Sequence, residues 1–517
     1  MRARLTLFNC FLILSIILIW GCKEKNTDNK LHNTFLDNTE NYLKVRNELK
    51  EADRKFDLGF GIKLNPKEQI VDSIFQAERE HLIKGYKKVN FFPSSRYYYL
   101  SKDEIESTLL FKLFRKMPKG GLLHVHTSAS GDAHWIVNRA VEEPNCYVYW
   151  GTEEIRKGMF KFAYPGKQGE GYFKVSELAK TIPNFKEILF NKITFSKAQD
   201  QDTLTYWKDF EEKFTRVGSF LKNKKVFQDY YKAAMDTLAN DNIQHIEFRA
   251  TLFSSIKDMD GNIYPADSCI AYIKKAYQDS KKNNPNLSIK LIYSGIRFFD
   301  RETLKKDLDK AYSLKKKYPN IIKGYDLVGE EDAGNTTLFY LPEFLDFIKK
   351  TSTEKYQLPF FFHDGESSWA DNENLFDAVL LDSRRIGHGF NLFRFPVLKQ
   401  RVIDQDICIE VCPLSNQILG YVRDLRLHPA ANYIKEGIPI TLNSDDPGMF
   451  GYNGVTPDFW TAYMAWDLNL PQVKRIIWNS IEYSTLNKEE KEIAFTALKN
   501  SWAKFIDNTL KEFELKN

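Results

Sequence analysis

The sequence predicts an α/β protein built as a TIM-type (β/α)8 barrel, with a helical N-terminal extension before it and an insertion after strand one. Three observations carry that expectation. Eight short apolar runs recur along the chain, most of them separated by helical stretches, and strands that alternate with helices form parallel β/α units. Histidines, a glycine and acids stand at the carboxyl ends of several runs, where a closed barrel carries its chemistry. The 517 residues, 43% of them apolar and 39 of them Phe, suffice for a large core with insertions.

At the amino terminus, Arg2 and Arg4 precede an apolar run from Leu5 to Ile19, broken only by Asn9, Cys10 and Ser15. The run is short for a bilayer span and has the charge layout of a secretory signal. Ile19-Trp20-Gly21-Cys22 resembles a bacterial lipoprotein box, in which Cys22 is lipidated and becomes the first mature residue, although Trp20 is an unusual occupant. Residues 1–22 are expected to be a lipoprotein signal peptide and residues 23–40 a polar tether. A buried helix opening a domain is the alternative, and the polar stretch from Lys23 to Asp37 argues against it. The expected location is therefore outside the cytoplasm, lipid-anchored on the periplasmic or cell-surface side, or secreted.

Residues 41–116 read as helical, with Tyr42, Val45 and Leu49, and later Ile70, Ile74 and Phe75, at helical spacing. Ser101-Lys102-Asp103-Glu104 predicts a capping box that opens a helix carrying Leu109, Leu110, Leu113 and Phe114. Pro118, Gly120 and Gly121 end the region. Its amphipathic faces fit either a homodimer contact or a cover over the barrel.

The barrel domain is expected over residues 117–517. Its strands are expected at Leu122–His126, Ile243–Arg249, Ile289–Phe298, Gly324–Gly329, Leu358–His363, Arg385–His388, Ile407–Cys412 and Ile438–Asp445. Between the first two, residues 132–222 show no strand-helix rhythm and read as an inserted subdomain together with the first barrel helix.

Charge excludes some partners. With 74 basic and 69 acidic residues the net charge is only +5, so neither nucleic acid nor an acidic membrane surface is implied, and membrane attachment is expected through lipid alone. Outside the export segment, Cys146, Cys269, Cys408 and Cys412 are too scattered for a disulfide framework or a zinc ribbon, and nothing specifies a disulfide.

His124 and His126 leave the same face of strand one, so they read either as two strand histidines or as half of a metal site. His363, His388, Gly329 and the pair Asp445 and Asp446 end other strands. Singly, each fits a cap or a turn, as Asp445-Asp446-Pro447-Gly448 does. Together they point to a site. Three neutral imidazoles and one carboxylate suit zinc, with room for a water whose pKa falls to about 7. Glu366, on the first turn after strand five, can shuttle a proton, and His388 can orient or deprotonate the water. Gly329 lets its backbone N–H approach a flat ring.

HVH at 124–126, DLVGEED at 326–332, HDGE at 363–366, GHG at 387–389, CPLSN at 412–416 and SDDP at 444–447, in that order, resemble the adenosine deaminase family of metal-dependent hydrolases. The likeness covers about Met117 to Ala494. The helical preface, the insertion after strand one and the phrase from Gly324 to Asp332 are similar to the secreted branch, the adenosine deaminase-related growth factors. The resemblance implies one zinc ion per chain, held by His124, His126, His363 and Asp445. It makes Glu366 the group that protonates purine N1, His388 the base beside the metal hydroxide, Gly329 a ligand for N3 and Asp446 a partner for N7. It implies hydrolysis of adenosine and 2′-deoxyadenosine to inosine and 2′-deoxyinosine with release of ammonia, by zinc-activated hydroxide attacking C6. Another adenine derivative as substrate, or a binding protein that kept the fold and lost catalysis, are the alternatives; every ligand and the acid being present favours an enzyme. Two features depart from the family pattern. Thr127 and Ser128 stand where an Asp usually holds the ribose, and Asp364 stands where a small residue is usual, adding a charge that raises the pKa of Glu366 if it lies close.

Overall fold

The computed structural model describes residues 38–195, 203–252 and 256–514. Cys22, the signal peptide and the tether up to residue 37 lie outside the described residues. Contacts divide the chain into two units, residues 1–57 and 58–517. The described part of the first is one helix, Thr39–Arg54, capped by Asn38, whose side chain accepts the N–H groups of Glu40 and Asn41. None of its residues is buried, so Tyr42 and Leu49 face solvent.

The second unit is organised around eight parallel strands. β1 (Gly120–His126) is followed by a small antiparallel sheet of β2 (Cys146–Tyr149), β3 (Phe160–Phe162) and β4 (Tyr172–Lys174). The barrel resumes with β5 (Ile243–Ala250), a hairpin of β6 (Ile256–Lys257) and β7 (Ile263–Tyr264), then β8 (Ser288–Ile296) and β9 (Ile322–Val328). β10 (His363–Asp364), β11 (Arg385–His388), β12 (Cys408–Val411) and β13 (Ile440–Leu442) complete it. β1-β5-β8-β9 and β10-β11-β12-β13 form two four-stranded halves. Parallel bridges between Tyr325 and Phe360 and between Val125 and Asp445 join them. The second bridge closes the ring: His126 N–H donates to Asp445 O at 3.0 Å and Asp445 N–H to His124 O at 3.2 Å. The (β/α)8 barrel is therefore the architecture, and each of the eight expected runs overlaps one barrel strand, the fifth only at His363.

Strand five differs in extent. The regular strand is confined to β10, and before it the pairing runs through separate hydrogen bonds, Tyr325 N–H to Pro359 O, Phe361 N–H to Tyr325 O and Gly387 N–H to Phe362 O. The insertion also has more order than its sequence suggests. Besides β2–β4 it contains helices Ala133–Glu142, Val175–Thr181, Phe185–Ile193 and Thr203–Leu221, which pack on the short strands and on one another rather than forming β/α units.

Within the second unit, helix Pro66–Lys88 is opened by a capping box of Asn65 and Glu68. The expected box at Ser101 does not form. Its hydroxyl turns to Pro93 O, and the helix expected from there breaks into Lys102–Ser107 and Leu109–Lys116 at Thr108, whose side chain caps the second piece through Phe111 N–H at 3.1 Å. Phe75 and Phe114 meet edge to face at 5.3 Å, and both pack on Tyr463 of helix Thr456–Ala465. These two helices thus cover barrel helices, and each buried Phe or Leu contributes roughly 1.5–3 kcal/mol. The four described cysteines are free and buried. Among the described residues no helix is long and apolar enough to cross a membrane.

Candidate active site

Five side chains converge where the strands end. Alternation along β1 sends His124 and His126 to one face, and the closure next to Asp445 brings its carboxylate beside both: Asp445 Oδ1 lies 3.4 Å from His124 Nε2 and 3.2 Å from His126 Nε2. β10 supplies His363, whose Nε2 is 3.1 Å from His126 Nε2, and β11 supplies His388, whose Nε2 is 3.9 Å from Asp445 Oδ2. One ligand atom from each of His124, His363, His388 and Asp445 falls within 4.8 Å of the others, and His126, Asp445 and Asp446 form a second, overlapping group. His124 Nε2 and Asp445 Oδ1 are buried without a hydrogen-bond partner, as expected of atoms set to meet a cation.

Electrostatics favours the same reading. Burial, reinforced by His124 and His126, holds the His363 imidazole far below its ordinary value, and burial does the same to His388, so both are neutral. Burial pushes Asp445 up, but the adjacent His124 and His126 more than reverse this and keep it ionised. His363 thus offers a lone pair and Asp445 a negative charge.

Three of these side chains are held from behind. Glu410 Oε2 faces His124 Nδ1 at 2.9 Å, Asp326 Oδ2 faces His363 Nδ1 at 2.7 Å, and Ser415 Oγ donates to Asp445 Oδ2 at 2.6 Å. A carboxylate on Nδ1 keeps the proton there and aims the Nε2 lone pair into the cluster. His388 and Asp445 also have left-handed backbones, φ 60° and 59°, a strained conformation that costs about 1–3 kcal/mol and clusters at functional sites. A Cβ at Gly387 would sit 3.1 Å from His124 Cε1 and 3.2 Å from the His363 Cα, so a side chain there would press on both histidines.

Glu366 is buried beside this cluster, its Oε1 3.5 Å from His388 Nδ1. Burial, then the charges of Asp445 and Glu331, push its carboxyl far above the usual range, so it carries a proton to donate. Asp446 is raised likewise, by burial and then by Asp445. Asp364 is also raised by burial, only partly offset by the Arg297 guanidinium that it meets, and it accepts from Thr337 Oγ1 at 2.9 Å. The charge expected to act on Glu366 from the neighbouring position thus comes instead from Asp445 and Glu331. A cavity of about 350 Å³ opens over these groups. Its floor carries His126, His363, Glu366, Asp445 and Asp446; Gly329 and Phe298 form one wall, and Trp207, Phe210 and Phe214 of the inserted helix Thr203–Leu221 form another. Gly329 has φ 107°, and an added Cβ would press on Phe298 at 3.2 Å. Of the two hydroxyls that replace the expected acid, Ser128 lines the cavity.

Every candidate residue of the sequence reading except Cys22 therefore lies in this one region. Sequence reasoning missed the supporting groups Asp326, Glu331, Glu410, Ser415 and Asn416. Four of them stand inside quoted motifs, and Glu410 had a signal of its own, an acid in the apolar run from Ile407 to Cys412.

A cation-ready cluster at the carboxyl ends of a (β/α)8 barrel defines a metal-dependent hydrolase. Comparison with known proteins agrees and narrows the class: the family model described as Adenosine deaminase matches residues 184–499, and that described as Adenosine/AMP deaminase N-terminal matches residues 13–114. The chain belongs to the adenosine deaminase family. It is 33% identical over 478 residues to adenosine deaminase 2-A of Danio rerio, covering 89% of this chain and 92% of that one. Adenosine deaminase 2 of Dictyostelium discoideum is 31% identical over 476 residues, 90% of this chain and 87% of the relative. Among solved structures, adenine deaminase from Arthrobacter aurescens has a TM-score of 0.54 at 19% identity, covering 75% of this chain and 99% of that chain. An amidohydrolase from Burkholderia ambifaria with bound Zn has a TM-score of 0.53 at 15% identity, covering 77% and 94%. These structural likenesses concern the fold.

Proposed function

We propose that the protein hydrolytically deaminates adenosine and 2′-deoxyadenosine, releasing ammonia and the corresponding inosines, with one zinc ion held by His124, His126, His363 and Asp445. The observation that carries this reading is the pairing, over one cavity floor, of a cation-ready cluster with a buried glutamic acid kept protonated. When bound, the metal supplies Lewis acidity and lowers the pKa of water to about 7. Glu366 donates its proton to purine N1, which makes C6 electrophilic. Asp446 donates to N7, and the Gly329 N–H points to N3, where the missing Cβ leaves room for the ring plane. His388 orients the attacking water or takes its proton. The apolar walls from Trp207, Phe210, Phe214 and Phe298 exclude bulk water and sandwich the base.

A screen of purine nucleosides and free bases for ammonia release tests the activity. Turnover of adenosine is expected; a metal-loaded protein that turns over none of them would end the proposal. Metal analysis tests the ligand set, since His363→Ala is expected to lose zinc with activity, and a stoichiometric metal in that variant would contradict it. The sequence from Ile19 to Cys22 further supports lipid attachment at Cys22, two acyl chains being enough for stable anchoring. Cys22→Ser should then free the protein from membranes or leave its signal uncleaved, whereas unchanged membrane association with a cleaved signal would exclude the anchor.

A further inference from the structure

A chain of hydrogen bonds runs from a backbone amide to His388. Ala430 N–H lies 3.1 Å from His428 Nδ1, His428 Nε2 lies 3.0 Å from Asn416 Oδ1, and Asn416 Nδ2 lies 3.2 Å from His388 Nδ1. Asn416, His428 and His388 are all buried, and the His428 ring is wedged between Phe390 and Trp466 at 5.2 and 5.3 Å. Amide and imidazole orientations are assigned from their partners, so the polarity of such a chain is set by whichever end cannot reverse. Here that end is the backbone N–H, which only donates.

We propose that Asn416 and His428 are positioning residues that fix the tautomer of His388, placing its single proton on Nε2, toward the metal cluster. The polarity follows link by link. His428 Nδ1 must accept from Ala430, so its proton is on Nε2 and donates to Asn416 Oδ1. That turns the Asn416 amide so that Nδ2 donates to His388 Nδ1, leaving Nε2 as the protonated nitrogen. Burial supports the first link, because it lowers the pKa of His428 to about 3 and keeps the ring neutral. The buried, protonated Glu366, 3.5 Å from His388 Nδ1, imposes no competing demand for a proton on that nitrogen. Resting on the deaminase reading above, the relay then chooses between the two roles open to His388. Its Nε2–H donates to the attacking water and holds it in place, instead of removing its proton.

The tautomer is read directly from the ¹⁵N shifts of histidine-labelled, zinc-loaded enzyme. The parent should show His388 protonated at Nε2 and bare at Nδ1. Asn416→Asp supplies only acceptors, so the proton should move to Nδ1, and kcat should fall by about 10²-fold while KM and zinc content stay near the parent values. His428→Gln preserves one acceptor and one donor and should recover most of the turnover lost in His428→Leu. A parent protonated at Nδ1, or an Asn416→Asp variant with the parent tautomer and kcat, would overturn the relay. Folded, zinc-loaded His428→Gln as slow as His428→Leu would do the same. Since the shifts need no substrate, failure of the relay and failure of the deaminase reading are separately visible.

Discussion

The Glu331 carboxylate accepts the backbone N–H groups of Gly365 and Glu366, at 3.0 and 2.5 Å, and so anchors the peptide that carries the candidate acid. Glu331 comes from the loop after β9, two residues beyond Gly329, and Asn374 Nδ2 donates to the same carboxylate at 2.8 Å. One buried side chain thus locks the segment expected to meet purine N3 to the segment expected to meet N1.

Removing that carboxylate should cost both stability and activity. Glu331→Ala leaves two buried N–H groups unpaired, at about 1–3 kcal/mol each, and frees Glu366 to drift; a displacement of about 1 Å at a reacting group costs roughly 10²-fold in rate. Glu331→Gln keeps one accepting oxygen and should lose less. Steady-state kinetics at matched zinc content decide the matter, and a Glu331→Ala enzyme with parental kcat would show that Glu366 needs no such anchor.

Glu366 itself should separate chemistry from metal binding. Its oxygens are not among the grouped metal-ligand atoms, so Glu366→Gln is expected to retain zinc while losing about two to four orders of magnitude in kcat. An active Glu366→Gln enzyme would mean that another group protonates the purine.

A third expectation concerns acid. Arg385 lies between Glu247 and Glu410 beneath the cluster, with Nη2 2.7 Å from Glu247 and Nε 2.5 Å from Glu410. Burial raises both carboxyls, but Arg385 at Glu247, and Arg249 with Arg385 at Glu410, reverse this and hold both well below the model-compound value of 4.5. Because the unfolded chain binds the protons more readily, the contribution to stability is complete above about pH 4.5 and is lost as pH falls below it. Glu247→Gln strands part of the Arg385 charge and should cost roughly 3–5 kcal/mol while flattening the acid limb. Melting temperatures measured from neutral pH down to about pH 3 check this; an identical acid slope in the variant would place the titration elsewhere.

The barrel was legible because its strands are fully buried and read as apolar runs, with polar residues at their carboxyl ends. His124, His126, His363, His388 and Asp445 could be picked out on that rule. What stayed hidden depends on contacts across the ring. Nothing local tells that Asp364 turns to Arg297 or that a helix at Thr203–Leu221 returns over the cavity mouth. The break at Thr108 was a local signal, a helix-capping residue in mid-pattern, outweighed by the apolar spacing on both sides.

Sugar preference supplies the last test. Ser128 lines the cavity beside buried Thr127, so under the proposed function the sugar is expected to meet a hydroxyl here rather than an acid. A site built to pair a substrate hydroxyl rejects an analogue that lacks it, by up to about 10⁴–10⁵-fold where the pairing is strong, whereas a weak partner loses little. Adenosine and 2′-deoxyadenosine should therefore be turned over with similar kcat/KM. Ser128→Asp adds a charged acceptor, whose hydrogen bonds are worth about 1.5–3 kcal/mol, and should shift the ratio toward adenosine by roughly tenfold or more. Competition between the two nucleosides measures the ratio directly. A parent enzyme that already prefers one strongly, with Ser128→Asp leaving that preference unchanged, would move sugar recognition from this position to the aromatic wall of helix Thr203–Leu221.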